Sequence, residues 1–261
     1  MSQSQEEEKQ SFLDPYGQVP FYRTLVATDL CKFRVVYKQT DLLVLAEKDL
    51  SLEVGRIVRE VRLPLEGYIL GHPEFLVSLS PLPVDEEAPD IVKEMLLAGR
   101  VAGVGPMAAV AGVIAERVGR LVLERGLSSQ VVVENGGDVF LWLKKEARVC
   151  LFAGIDSPFS NRVCVVVPAR FMPCGVCTSS GKIGHSLSFG KADAITVIHK
   201  KASIADALAT ALGNLLRKEQ DFEKVLKKAE KVEGVLGVVG VLGEKLLVWG
   251  KGVRLEPLNF S

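Results

Sequence analysis

The chain has 261 residues, enough to bury a substantial core as one large domain or two small ones. Its 32 lysines and arginines balance its 32 aspartates and glutamates, which excludes a global electrostatic pull toward nucleic acid or an anionic membrane. Hydrophobic residues make up 48%, a globular rather than a disordered composition.

Residues 1–18 are polar and turn-rich, with the acidic run Glu6-Glu7-Glu8. They are expected to form a flexible tail ahead of a single domain over residues 19–261. The first ten residues lack the charged-then-apolar order of a secretory signal. The longest uncharged apolar stretch, 101–115, falls short of the roughly 20 residues that a membrane span needs. A cytoplasmic location follows as the expectation. The five cysteines, Cys31, Cys150, Cys164, Cys174 and Cys177, are then read as mostly reduced.

Apolar runs at 33–37 and 42–46, joined by Lys38-Gln39-Thr40-Asp41, predict a β-hairpin. Asp49 or Ser51 caps a helix reaching about residue 62, with Leu52, Ile57, Val58 and Val61 as its apolar stripe. Residues 72–89 hold Pro73, Pro81, Pro83 and Pro89 and read as a loop or short turns. A helix follows Pro89. A second helix spans 106–125, where Pro106 suits the first turn because its missing N–H would have no intrahelical partner there.

Strands are predicted at 130–134, 139–143, 148–153, 162–167 and 194–199, and a strong helix at 202–217. The charged residues 218–231 continue the helical pattern. Residues 235–242 and 245–249 close the chain as a hairpin turning at Gly243-Glu244. This order predicts an α+β fold of two related halves. The helices at 106–125 and 202–217 are rich in alanine and glycine, so they are expected to pack closely at the centre.

Five segments carry candidate chemistry. In Glu134-Asn135-Gly136-Gly137-Asp138 the glycines permit φ > 0 and close ligand approach, with an ordinary hairpin turn as the competing reading. Cys177-Thr178-Ser179-Ser180-Gly181-Lys182-Ile183-Gly184-His185 reads as a polar loop whose amides and hydroxyls suit a phosphate, or as a plain solvated loop. Asp206 and Thr210 lie one turn apart on an otherwise apolar helix, so both oxygens can grip a hard cation such as Mg²⁺.

Gly103-Val104-Gly105-Pro106-Met107-Ala108 matches Gly-x-Gly-x-x-Ala, but it follows a helix rather than a strand. Dinucleotide binding of that type is rejected, and the helix break is left as a source of carbonyl ligands for a cation. The single Cys174-Gly175-Val176-Cys177 pair lacks the second pair that zinc needs, with His185 the nearest further ligand.

Together these blocks resemble the ApbE-like superfamily of Mg²⁺-dependent flavin transferases, which move FMN from FAD onto a protein threonine. The blocks that carry the resemblance appear in the family's order: Asn135-Gly136-Gly137-Asp138, Thr178-Ser179-Ser180-Gly181, His185, and Ala205-Asp206-Ala207-Leu208-Ala209-Thr210. Gly103–Ala108, Glu134–Asp138, Cys177–Gly181 and Gly184–Ala194 are more similar still to a branch of that superfamily found in anaerobic archaea and bacteria.

The resemblance implies the T-fold-like architecture, with antiparallel strands packed on central helices. It implies a divalent cation held by Asp206, Thr210 and a backbone carbonyl of Gly103–Gly105, taken as Val104. Asn135, Gly136, Gly137, Asp138, Thr178, Ser179, Ser180 and Gly181 would line the pocket for FAD, FMN or a related phosphorylated ligand, with His185 as the catalytic candidate.

Two departures bear on the reaction. The transferases carry a Lys-Gly pair where this chain has Gly105-Pro106-Met107. Their His-x-x-Asp-Pro is here His185 followed by Ser186-Leu187-Ser188-Phe189, so the implied general base is missing. The function implied is group transfer on a cation-held ligand. The alternative is a non-catalytic accessory protein in anaerobic sulfur assimilation, linked to homocysteine formation. No nucleic-acid or membrane partner is expected, while a protein partner and a homo-oligomer stay open.

Overall fold

The computed structural model describes residues 29–154, 156–180 and 192–258. The first hairpin, β1 (Cys31–Tyr37) and β2 (Thr40–Ala46), matches the sequence expectation. Helix α1 (Ser51–Gly71) runs well past residue 62, through Pro64. A proline removes one helical hydrogen bond and favours a stop before it. Here burial of Leu65 on the next turn outweighs that preference.

Residues 72–89 contain the short helix α2 (Pro73–Val77) within otherwise irregular chain. Helix α3 (Asp90–Ala102) follows. Pro106 opens a 3₁₀ turn (Pro106–Ala109) that leads into α4 (Val110–Glu124).

The second hairpin is β3 (Val131–Asn135) and β4 (Asp138–Trp142); β5 (Ala147–Cys150) and β6 (Val163–Val167) come next. Residues 177–179, read above as the start of a polar loop, belong to the strand β7 (Cys174–Ser179). Strand β8 (Ala194–His199) leads into helix α5 (Ala202–Leu215), then the shorter α6 (Phe222–Ala229). The closing hairpin β9 (Val235–Leu242) and β10 (Lys245–Trp249) appears as expected, followed by an unanticipated strand β11 (Arg254–Pro257).

Eight strands make one antiparallel sheet in the order β1-β2-β3-β4-β7-β8-β9-β10, and β11-β6-β5 make a second. Each half of the large sheet is a hairpin, then helices, then a hairpin, and the halves join where β4 pairs with β7. The two related halves are thus present. The second begins at β7, rather than near residue 130 as the element order suggested.

The helices cover one face of the large sheet, and the small sheet covers the other. Leu42, Val44 and Val133 therefore face Val113, Ala115 and Leu208. Leu43, Leu45 and Val132 face Val149, Val165 and Val167. Burial on both faces explains why these strands read as continuous apolar runs rather than alternating ones.

The cysteine expectation needs correction. Cys150 and Cys164, directly opposed on β5 and β6, are disulfide-bonded, while Cys31, Cys174 and Cys177 are free thiols. No single helix among the described residues is long and apolar enough to cross a membrane.

Helices α4 and α5 pack together as expected, and small residues set how closely they approach. A Cβ on Gly112 of α4 would lie 2.8 Å from the Asp206 Cβ of α5. A Cβ on Gly175 of β7 would overlap Ala202 at the start of α5. Gly175→Ala should therefore overpack this junction and destabilise the fold by about 1–3 kcal/mol. Denaturant unfolding measures this, and a variant as stable as the parent would refute the close approach.

Candidate functional site

Neither central helix has a side-chain cap from its own N-cap residue. Each instead takes a carboxylate from the other. Asp206 Oδ2 of α5 accepts the Gly112 N–H of α4 at 2.8 Å. Glu116 Oε2 of α4 accepts the Ala202 N–H of α5 at 2.6 Å. The helices therefore run antiparallel, and Glu116, which sequence reasoning treated only as the end of an apolar stretch, is a buried organiser of the site.

The β3–β4 turn meets this pair at the N-terminus of α4. Gly136 and Gly137 have φ of 65° and 105°, the two positive values of a tight two-residue hairpin turn, so the hairpin reading of this segment is correct as far as the backbone goes. Glu134 Oε1 accepts the Gly137 N–H at 2.7 Å and holds the turn closed. Asn135 Nδ2 donates to the Ala111 carbonyl at 3.1 Å and fastens the turn to α4.

Asp138, Cys177 and Asp206 come together beneath the helix pair. Asp138 sits opposite Cys177 in the sheet. The Cys177 thiol lies 3.4 Å from the Ala202 carbonyl and within hydrogen-bonding reach of Asp138. Burial holds the Asp138 carboxyl well above the usual carboxylate range, and the charge of Asp206 adds to this. Hydrogen bonds from the Cys177 thiol and the Thr178 amide oppose the shift, while Glu134 reinforces it.

Asp206 itself is pushed up to about 7 by burial, against the pull of the Gly112 and Ala111 amides. Burial also raises the Cys177 thiol, helped by the negative charges of Asp138 and Asp206. Asp138 Oδ1 and Ser179 Oγ are buried without a hydrogen-bond partner among the described residues.

The β7 strand divides its residues between two faces. Cys177 and Ser179 share the helix side. Thr178 lies on the other side, where its hydroxyl bonds that of Thr196 at 2.8 Å. Ser180 Oγ donates to the Asp193 carbonyl at 2.6 Å. Asp193 also accepts the Gly243 N–H and so ties the β9–β10 turn to the end of β7.

Cys174 and Cys177 point to opposite faces, which removes them as a chelating or disulfide-forming pair. Thr210 is buried on α5 one turn from Asp206. The 3₁₀ turn after Gly103–Gly105 packs on α5, while the Val104 carbonyl oxygen lies 2.8 Å from where a Cβ on Gly99 would sit. Gly181 and His185 lie outside the described residues. Among those described, no three His, Cys, Asp or Glu side chains converge as a metal-binding group, so any cation here draws on hydroxyl and carbonyl oxygens as well.

The chain belongs to the family described as AbpE bacteria, which matches residues 23–237. A UPF0280 protein of Methanococcus aeolicus is 44% identical over 203 residues, covering 76% of this chain and 81% of that protein. Another, from Methanocaldococcus jannaschii, is 39% identical over 226 residues, covering 84% and 91%.

Among solved structures, a mutant of the flavin transferase ApbE from Vibrio cholerae superposes with a TM-score of 0.56 at 13% identity, covering 86% of this chain and 98% of that one. The ApbE protein of Thermotoga maritima gives a TM-score of 0.51 at 13% identity, covering 86% and 97%. The fold is that of the ApbE flavin transferases, and the chain is a member of an ApbE-like branch.

The raised Asp206 carboxyl has a consequence for stability. Between the ordinary carboxylate range and about 7, the folded chain keeps a proton that the unfolded chain has released. Stability should fall as pH rises through that window and level off above it, with Asp138 acting in the same direction. Urea unfolding between about pH 5 and pH 7 should show stability falling more steeply with pH in the parent than in Asp206→Asn, where the raised Asp138 and the lowered His199 still act; a parent slope no steeper than the variant's would contradict the assignment.

Proposed function

We propose that the protein binds a divalent cation, Mg²⁺, together with FAD, FMN or a related phosphorylated ligand, and acts on that ligand as a group transferase. The site lies where the β3–β4 turn, the end of β7 and the N-terminus of α4 meet. The observation that carries this reading is the buried pair Asp138 and Asp206, two mutually repelling carboxyls with Asp138 Oδ1 lacking a hydrogen-bond partner among the described residues. Buried like charges call for a proton or a cation between them.

Asp206 and Thr210 would hold the ion, with a carbonyl of the Gly103–Gly105 break. Asp206 accepts the Gly112 amide through Oδ2, with the Ala111 amide also in reach, so an ion would bond to the lone pairs that these amides leave. When bound, the cation supplies Lewis-acid stabilisation to phosphate oxygens. The Asn135–Asp138 turn and Ser179 would line the ligand pocket. Thr178 would serve it through its backbone, because its side chain is bonded to Thr196 on the far face. Gly181, and His185 as acid–base group, complete the proposal outside the described residues. The functional unit is taken as one domain over residues 19–261 in a cytoplasmic setting.

Calorimetry with FAD and MgCl₂ tests the reading. The parent should bind FAD in a Mg²⁺-dependent manner, and Asp206→Asn should lose the Mg²⁺ dependence. An asparagine keeps an acceptor for the Gly112 amide, so the helix cap survives while the charge is removed. Because Asp206 must shed its proton to bind the ion, Mg²⁺ affinity should rise with pH and flatten above about 7. A parent that binds neither FAD nor Mg²⁺ at pH above 7 would overturn the proposal.

A further inference from the structure

The stretch between Arg62 and Lys93 carries Glu66, Glu74, Asp85, Glu86, Glu87 and Asp90 but no lysine or arginine. In a chain of zero net charge, the remainder is correspondingly basic. The same stretch holds the most exposed large hydrophobic residues of the described chain. Leu70 is 87% exposed, Val77 72%, Leu79 57% and Leu76 52%. Scattered exposed leucines need no explanation, but four large apolar side chains exposed within ten residues, at the end of α1 and on and just after α2, concentrate apolar surface in one segment, the kind of surface that marks an interaction site.

This surface is held rigidly. The Tyr68 and His72 rings stack at 3.9 Å, and Phe75 meets Tyr68 edge-on at 5.4 Å. His72 Nδ1 lies 3.1 Å from the Tyr68 carbonyl, and the Tyr68 hydroxyl donates to Asp85 at 3.0 Å. These contacts clamp the irregular segment onto the end of α1. The patch also abuts the candidate site, because the Leu79 carbonyl accepts the Gly105 N–H at 3.0 Å and a Cβ on Gly105 would overlap Ser78. A platform that is preorganised binds without the ordering cost of a mobile loop.

We infer that Leu70, Leu76, Val77 and Leu79, rimmed by Glu74, Glu86 and Glu87, dock a basic amphipathic segment of a protein partner. Charge selects this occupant over the alternatives. A second copy meeting the patch through a two-fold axis would set the same carboxylates against one another. The chain's own residues 1–28 carry Glu6, Glu7, Glu8 and Asp14 against only Lys9 and Arg23, so they share the sign of the rim. A partner presenting lysines or arginines around an apolar stripe satisfies both features. The inference does not rest on the cation and flavin reading, and its test measures docking alone.

The probe is a fluorescently labelled amphipathic peptide of leucine and lysine, titrated with the full chain and followed by anisotropy, with a leucine and glutamate peptide as its counterpart. The basic peptide should bind, more weakly at high salt, and the acidic one should not. Val77→Asp and the double variant Glu86→Lys/Glu87→Lys should each weaken binding by about tenfold, and both side chains are exposed enough for the fold to persist. Equal binding of the two peptides, unchanged affinity in both variants, or no binding of the basic peptide would overturn the inference. So would sedimentation showing that the parent self-associates and that Val77→Asp abolishes it, because the occupant would then be a second copy.

Discussion

The arrangement depends on two buried carboxylates exchanged between two helices. An α-helix begins with amides that have no intrahelical partner, and burying them unpaired is costly. Here Asp206 satisfies the start of α4 and Glu116 satisfies the start of α5, each reaching across the antiparallel contact. A bond of this kind contributes about 0.5–1.5 kcal/mol when neutral and about 1.5–3 kcal/mol when charged, and fixes the axial register of the pair. The exchange matches the internal likeness of the two halves, since each half contributes one helix and one carboxylate. It also explains the glycines. Gly112 and Gly175 are required because the helix start at Ala202 occupies the space where their side chains would be.

That register then dictates where charge accumulates. Once Asp206 caps α4, it lies on the helix side of the sheet near Asp138, and both are shielded from water. Neither carboxyl has a lysine or arginine among the groups that shift it. The hydrogen bonds they receive come from amides and a thiol, which moderate the negative charge without neutralising it. Burial therefore keeps protons on this pair, with no lysine or arginine to take their place, at the point where the two halves of the sheet join. An arrangement kept only for stability would gain from an apolar residue at 138, whose carboxyl caps no helix.

Much of the fold was legible because burial imposes periodicity. The first and last hairpins, α4, α5 and their close packing followed from apolar runs and small residues. Strand β7 escaped because its residues are small and polar for a reason seen only in three dimensions. Gly175 must be bare beneath Ala202, Cys177 meets the Ala202 carbonyl, and Thr178 meets Thr196. The Cys150–Cys164 pairing depends on strand register, which spacing along the chain does not reveal. The candidate site was visible at Asn135–Asp138 and Asp206–Thr210, whose residue types are unusual for their surroundings. Glu116 was not, because a glutamate at a helix flank looks ordinary until its amide partner is known. The opposite directions of Thr178 and Ser179 likewise require knowing that they lie on a strand.

If the proposed cation site is correct, one carboxylate serves both structure and chemistry, and the two roles constrain each other. With Oδ2 engaged by the Gly112 amide and the Ala111 amide in reach, Asp206 offers an ion only the lone pairs that these amides leave, unless the α4 cap is given up. An ion bound there would replace the proton that burial now favours, and would leave the cap in place. Ion and proton then compete for one position whose geometry the helix pair has already set. The same logic separates the fold from the reaction. The helix exchange needs only an acceptor oxygen at 206, which asparagine would also supply, so the aspartate reports on the packing before it reports on any ligand. The partnerless oxygen of Asp138 does nothing for that packing, and it is therefore the stronger indication of a ligand.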